Sequence, residues 1–182
     1  MTSVVIMSSL LPHMTSLAQN ELFSYSNYDL YEGHKGEVRA LAFDDERGLL
    51  ASGGKDGVIL VRDLTSKRIV QRLTGGGAIT ALAFRRDGKL LASGSEDKTV
   101  RLWDLSSGMP RVLKGHDGRV VTLAFSPSGD FLASGGEDRQ VIVWSTESAQ
   151  QAGRQSEHKK AVRNVFFNTD ESIYYLHSAL VP

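Results

Sequence analysis

The stretch "GHDGRVVTLAFSPSGDFLASGGEDRQVIVW" (115–144) carries two messages that have to be separated. One is chemical. His116, Ser134 and Asp138 are the parts of a hydrolase triad, with the histidine eighteen residues before the serine and the aspartate four after it. The other is architectural. Apolar and β-branched residues alternate over 120–125, 131–134 and 140–144, the period of half-buried strands. The connecting "SPSGD" and "GGED" are rich in Gly, Pro, Ser and Asp, which suit tight reversals.

Working outward, the pattern recurs. "VRALAF", "ITALAF", "VVTLAF" and "VRNVFF" end at Phe43, Phe84, Phe125 and Phe167, at intervals of 41, 41 and 42 residues. "LLASGG" (49–54), "LLASGS" (90–95) and "FLASGG" (131–136) step by 41, as do "VILVRDL", "TVRLWDL" and "QVIVWST". Three markers sharing one period define an internal repeat. "RIVQRL" (68–73) and "MPRVL" (109–113) supply a fourth strand per unit. The expectation is an all-β fold of small four-stranded antiparallel sheets. Each is marginal alone and must bury its faces against its neighbours.

These units resemble WD40 repeats, the blades of β-propellers. The resemblance rests on the Gly33-His34 and Gly115-His116 pairs, on Trp103-Asp104, and on the period, and it spans about 33–167. It implies an incomplete propeller, with repeats at 33–73, 74–114 and 115–156. A truncated fourth would occupy 157–182, and residues 1–32 would give a degenerate segment with "SNYDLYE" as the outer strand of a half-blade. Propellers in this family usually close with seven blades, which this chain cannot build. Two explanations are open: a piece of a longer propeller protein, or an arc that another chain completes. The loss of pattern after about residue 170 favours the former. An arc would expose apolar flanks on its end blades, a surface for association.

The resemblance also bears on the triad. In WD40 repeats, a histidine after the GH glycine, a serine on the second strand, an aspartate in the next turn and a tryptophan on the third strand form a structural hydrogen-bond network. His116, Ser134, Asp138 and Trp144 match all four positions. A buried carboxylate in a tight turn needs donors, and imidazole, hydroxyl and indole relay them. The first repeat has His34, Ser52 and Asp56 but Arg62 in place of the tryptophan. The second has Ser93, Asp97 and Trp103 but Gly75 in place of the histidine. Both are expected to be locally less stable than the third, and Arg62→Trp is expected to raise the melting temperature. A nucleophile would need an exposed, strained position with an oxyanion hole. Ser134 lies within an alternating strand, has no G-x-S-x-G elbow, and recurs as Ser52 and Ser93. The structural reading is preferred.

Composition narrows the rest. The 182 residues are 41% hydrophobic and 23% charged, with Lys+Arg and Asp+Glu equal at 21, so no overall field steers the chain to nucleic acid or membrane. No cysteine is present, which excludes disulfides and thiolate zinc sites. The five histidines lack metal-ligand spacing, and "SGGKDG" around Lys55 lacks a phosphate-loop pattern. The first basic residue is Lys35, so the N-terminus lacks the charged start of a signal peptide. An intracellular chain, cytoplasmic or nuclear, is expected, with no cofactor, metal, small-molecule substrate or membrane contact.

The expected function is a non-enzymatic scaffold for protein–protein contacts within a larger complex. The resemblance implies docking on the narrow face, by residues at the start of each first strand and before each turn aspartate. Those positions are Glu37, Arg39 and Lys55, then Ala78, Thr80 and Glu96, then Arg119, Val121 and Glu137. The mixed charge suits a polar protein segment. Two alternatives stand beside this: membership of a ribonucleoprotein or RNA-processing complex, and a centriole- or cilium-associated role, since 115–144 is similar to the last repeat of a centriolar WD-repeat family. Zero net charge and the absence of interleaved aromatic and basic residues argue against direct nucleic-acid contact.

Overall fold

The computed structural model describes residues 2–7, 28–156 and 158–177. Every described element is a strand. β1 (Thr2–Met7) pairs with β2 (Tyr28–His34) in a two-stranded antiparallel sheet. Three four-stranded sheets follow as simple meanders. The first holds β3 (Val38–Asp44), β4 (Leu49–Gly54), β5 (Val58–Asp63) and β6 (Ile69–Thr74). The second holds β7 (Ile79–Phe84), β8 (Leu90–Ser95), β9 (Thr99–Asp104) and β10 (Pro110–Lys114). The third holds β11 (Val120–Phe125), β12 (Phe131–Gly136), β13 (Val141–Ser145) and β14 (Gln151–Gln155). A further two-stranded sheet joins β15 (Val162–Phe167) to β16 (Ile173–His177). Of the predicted half-blade, "SNYDLYE" falls largely on β2, whereas residues 8–27 lie outside the described residues.

The sheets stack like blades, with β3 beside β7, β7 beside β11 and β11 beside β15. Each junction carries its own core. Ala51, Ile59 and Val61 of the first blade meet Ile79, Leu91 and Trp103 of the second. Ala92, Val100 and Leu102 then meet Val120, Leu132, Ile142 and Trp144, and Ala133 and Val141 meet Val162 and Val165. The second and third blades therefore bury an apolar face on each side, and β8 and β12, like β4 of the first blade, are buried along almost their whole length.

One detail departs from the sequence expectation. The glycines at 135 and 136 read as turn, yet β12 runs through both, with Gly135 opposite Thr122 and Gly136 opposite Val120. They are glycines because neighbours fill the side-chain space. A Cβ on Gly135 would stand 2.8 Å from Val162 Cγ1 in the next blade, and one on Gly136 would stand 2.7 Å from Asp138 Oδ1. Gly53 and Gly94 likewise accept Ile79 and Val120 across the two preceding junctions.

Candidate functional site

Two sets of residues have to be placed: the buried polar groups inside the blades and the charged groups on one rim. In the third blade, His116 Nδ1 lies 2.7 Å from Asp138 Oδ2 and His116 Nε2 lies 2.8 Å from Ser134 Oγ. The indole N–H of Trp144 donates to Ser134 Oγ at 2.8 Å. Asp138 also accepts the backbone N–H of Asp117 (2.8 Å) and of Gln140 (3.1 Å). Burial pulls the His116 pKa below its usual value, with Asp138 opposing but not reversing the shift, so the ring is neutral at physiological pH. With its one proton on Nδ1 facing the carboxylate, Nε2 accepts from the serine hydroxyl. The distances are those of a proton relay, yet Ser134 has 0% exposure and its oxygen already receives the indole N–H. No substrate carbonyl reaches it.

The first blade joins three of these groups. His34 Nε2 lies 2.8 Å from Ser52 Oγ, and Nδ1 lies 3.2 Å from each oxygen of Asp56. Burial opposes ionisation of Asp56, but the backbone N–H groups of Lys35 and Val58, with His34, outweigh it and hold its pKa below normal. Arg62, at the tryptophan position, is buried and donates to the Glu32 carbonyl while lying 5.2 Å from the Tyr31 ring centre. It ties β5 to β2. A tryptophan at 62 would gain Ser52 but lose this clamp, two effects of about 1 kcal/mol each. The gain expected from sequence is thereby offset.

The second blade leaves Ser93 and Asp97 unbridged. Trp103 donates to Ser93 Oγ at 2.8 Å, while Asp97 pairs with Arg101 at 2.9 Å and accepts the Thr99 hydroxyl at 2.6 Å. Burial would raise the Asp97 pKa, but Arg101 and Thr99 together lower it. Ser95, fully buried, occupies the place that Gly54 and Gly136 leave to a histidine, and its Oγ accepts the Asp97 N–H at 3.1 Å. The missing histidine and the extra serine are therefore one change, not two. Sequence reasoning missed this, although "LLASGS" beside "LLASGG" was its visible signal.

The rim groups converge on one cleft. In all four blades the first strand is bulged at the same place, between Val38 and Ala40, Ile79 and Ala81, Val120 and Thr122, and Val162 and Asn164. A bulge leaves one residue out of the pairing and re-aims it. The residues so presented are Arg39, Thr80, Val121 and Arg163, and with Glu37, Val38 and Arg119 they line a cleft of about 510 Å³. Charges alternate along it. Arg39 bonds Glu37 (3.1 Å) and Glu96 (2.6 Å), and Arg119 bonds Glu96 (3.4 Å) and Glu137 (2.7 Å), linking three blades. The Thr80 hydroxyl donates to the Val120 carbonyl. Ala78 is buried and does not line the cleft, its carbonyl accepting the Glu96 N–H at 3.0 Å, and the exposed Lys55 stands outside the ladder, its N–H donating to the Glu37 carbonyl at 2.7 Å. Val38 and Arg163 are the cleft residues that sequence reasoning did not select; aligning "VRNVFF" with "VRALAF" gives Arg163 the repeat position of Arg39. Among the described residues no cluster of three or more His, Cys, Asp or Glu side chains is placed to hold a metal, and no helix is long and apolar enough to cross a membrane.

Stacked four-stranded meanders with inner strands side by side define a β-propeller, here an incomplete one. The family model for the WD domain, G-beta repeat, matches residues 25–63, 67–104 and 109–145, and the chain belongs to the WD40 family. Each matched unit starts near the outer strand of one sheet and ends with the third strand of the next, so sequence repeat and blade are offset by a strand. Over 48 residues the chain is 46% identical to the small ribosomal subunit protein RACK1y of Oryza sativa subsp. japonica, covering 26% of this chain and 14% of that protein. Over 60 residues it is 55% identical to the ribosome biogenesis protein erb1 of Aspergillus fumigatus, covering 33% of this chain and 8% of that protein. The chain thus spans a small part of these relatives. A chain in the crystal structure of a mitotic checkpoint complex superposes with a TM-score of 0.76 at 27% identity, over 82% of this chain and 47% of that one.

Proposed function

We propose that the chain is a non-enzymatic interaction platform whose rim cleft receives a polar segment of a partner protein. The observation that carries this is the coincidence of four equivalent bulges on one cleft, which a fold built for stability alone does not require. Arg39 and Arg119 bridge the blades and present guanidinium groups to a partner, with Glu96 and Glu137 fixing their orientation. Capture of partners from cell extract by the wild-type chain is expected to fall about tenfold or more in Arg39→Glu/Arg119→Glu, since rim charges steer specificity. Undiminished capture by a folded double variant would refute this role.

A second reading follows from the relatives, a ribosomal subunit protein and ribosome biogenesis proteins. Under it, the partner is a protein on a ribosomal or pre-ribosomal particle, in the cytoplasm or nucleus. Co-sedimentation with such particles that survives nuclease treatment supports it; migration apart from them excludes it.

A further inference from the structure

The rim cleft is not electrically balanced. Its charged lining sets three guanidinium groups, Arg39, Arg119 and Arg163, against one carboxylate, Glu37. Glu96 and Glu137 hold the first two arginines from outside the lining. Arg163 is different: it is exposed on β15 and makes no hydrogen bond or ion pair among the described residues. The paired arginines also keep donors in reserve. Arg39 directs Nε to Glu37 and Nη1 to Glu96, which leaves Nη2 without an acceptor. Arg119 directs Nη1 to Glu96 and Nη2 to Glu137, while its Nε is buried and donates to nothing among the described residues. A charged N–H withdrawn from water is unfavourable until an acceptor reaches it.

Between these arginines the cleft is uncharged, because Thr80 and Val121 hold the bulge positions of the two middle blades. Its spacing is set in advance. The Thr80 hydroxyl donates to the Val120 carbonyl, and Thr122 Oγ1 accepts the Val165 N–H at 3.2 Å, so neighbouring first strands are tied to one another. Donors held in this way lose little freedom when a ligand arrives. The lining also selects among anions. A single-stranded nucleic acid offers a run of phosphates and bases that stack on aromatic rings. No aromatic side chain lines the cleft, and Glu37, Glu96 and Glu137 beside the arginines repel a continuous row of phosphates. Carboxylates spaced along a peptide can avoid those acids, and one carboxylate matches the planar fork of Arg163 through two parallel N–H···O bonds.

We propose that the cleft selects an acidic segment of a partner protein, with one Asp or Glu carboxylate on Arg163 and another on the unused donors of Arg39 and Arg119. This rests on the platform reading above and narrows its occupant. Fluorescence anisotropy of the full chain with labelled oligoglutamate, oligoglutamine and oligouridylate of equal length, at physiological salt, tests it. Oligoglutamate should bind about tenfold or more tighter than either of the others. Arg163→Gln, which removes no bond within the described fold, should weaken oligoglutamate about tenfold, and Arg111→Gln on the outer strand β10 should not. Oligouridylate or oligoglutamine binding as tightly as oligoglutamate, no oligoglutamate binding, or binding that survives Arg163→Gln would each overturn the proposal. The two readings fail separately. If oligoglutamate does not bind but Arg39→Glu/Arg119→Glu still loses its partners from extract, the platform stands without acidic selectivity; undiminished capture by that double variant removes the platform itself.

Discussion

Ser134 is the residue on which the third blade's polar network turns, because one oxygen serves both the Trp144 N–H and the His116 ring. Ser134→Ala strands both partners in a site without water access, whereas Ser93→Ala strands only Trp103. An unpartnered buried group costs about 1–3 kcal/mol, so the first substitution should lower the unfolding free energy by more than the second. Equal losses in urea titrations of the two variants would contradict the shared role of Ser134. The histidine adds a pH signature. Its folded pKa lies below the unfolded value, so the unfolded chain binds the extra proton first as pH falls below about 6.5. The contribution is therefore complete above that pH and declines on acidification. Asp56, also lowered, contributes above about pH 4 and is lost further into acid, a separate window. The urea midpoint should drop between about pH 7 and 5.5, and His116→Gln should flatten that slope. A Gln variant as pH-sensitive as the wild type would exclude His116 as the source. Spacing alone leaves His116 and Ser134 open between relay and brace; burial decides, and burial is a property of the folded blade.

At the scale of the element, the strands were legible because alternation and period do not depend on partners. The bulges were not, since a bulge exists only when two strands are paired; nor was the bond from Arg62 to Glu32, which joins two sheets. The second blade shows what a change of one element demands of its neighbours. Gly75 sits where the histidine would be, and a Cβ there would stand 2.5 Å from Ile79 Cδ1. Ser95 fills the pocket that the ring would use, with its oxygen held by the Asp97 N–H. Gly75→His alone should therefore destabilise the blade by about 1–3 kcal/mol through overpacking. Adding Ser95→Gly and Ile79→Val, the residues found in the third blade, should recover most of that loss. If the triple variant melts no higher than Gly75→His, the serine and the glycine are unrelated.

For the whole molecule, the governing fact is that the apolar cores lie between blades rather than within them. Stability in such a stack is a sum of unit and nearest-neighbour terms, so damage at one junction should spread to the two blades that share it and fade beyond them. Gly94 offers a clean point of attack. Its Cβ would press on Val120 Cγ1 at 2.7 Å, with no flexible chain end to yield, so Gly94→Ala should weaken the second junction by about 1–3 kcal/mol. Amide exchange resolved by segment should then show β8, β9, β11 and β12 losing protection together. The amides of β4 and β5, held in the first junction by Ile79 and Leu91, should change less. Uniform loss across all blades would instead mean that the arc unfolds as one cooperative unit. In that case the junctions could not be treated as separate neighbours, and the stack would share its stability along its full length.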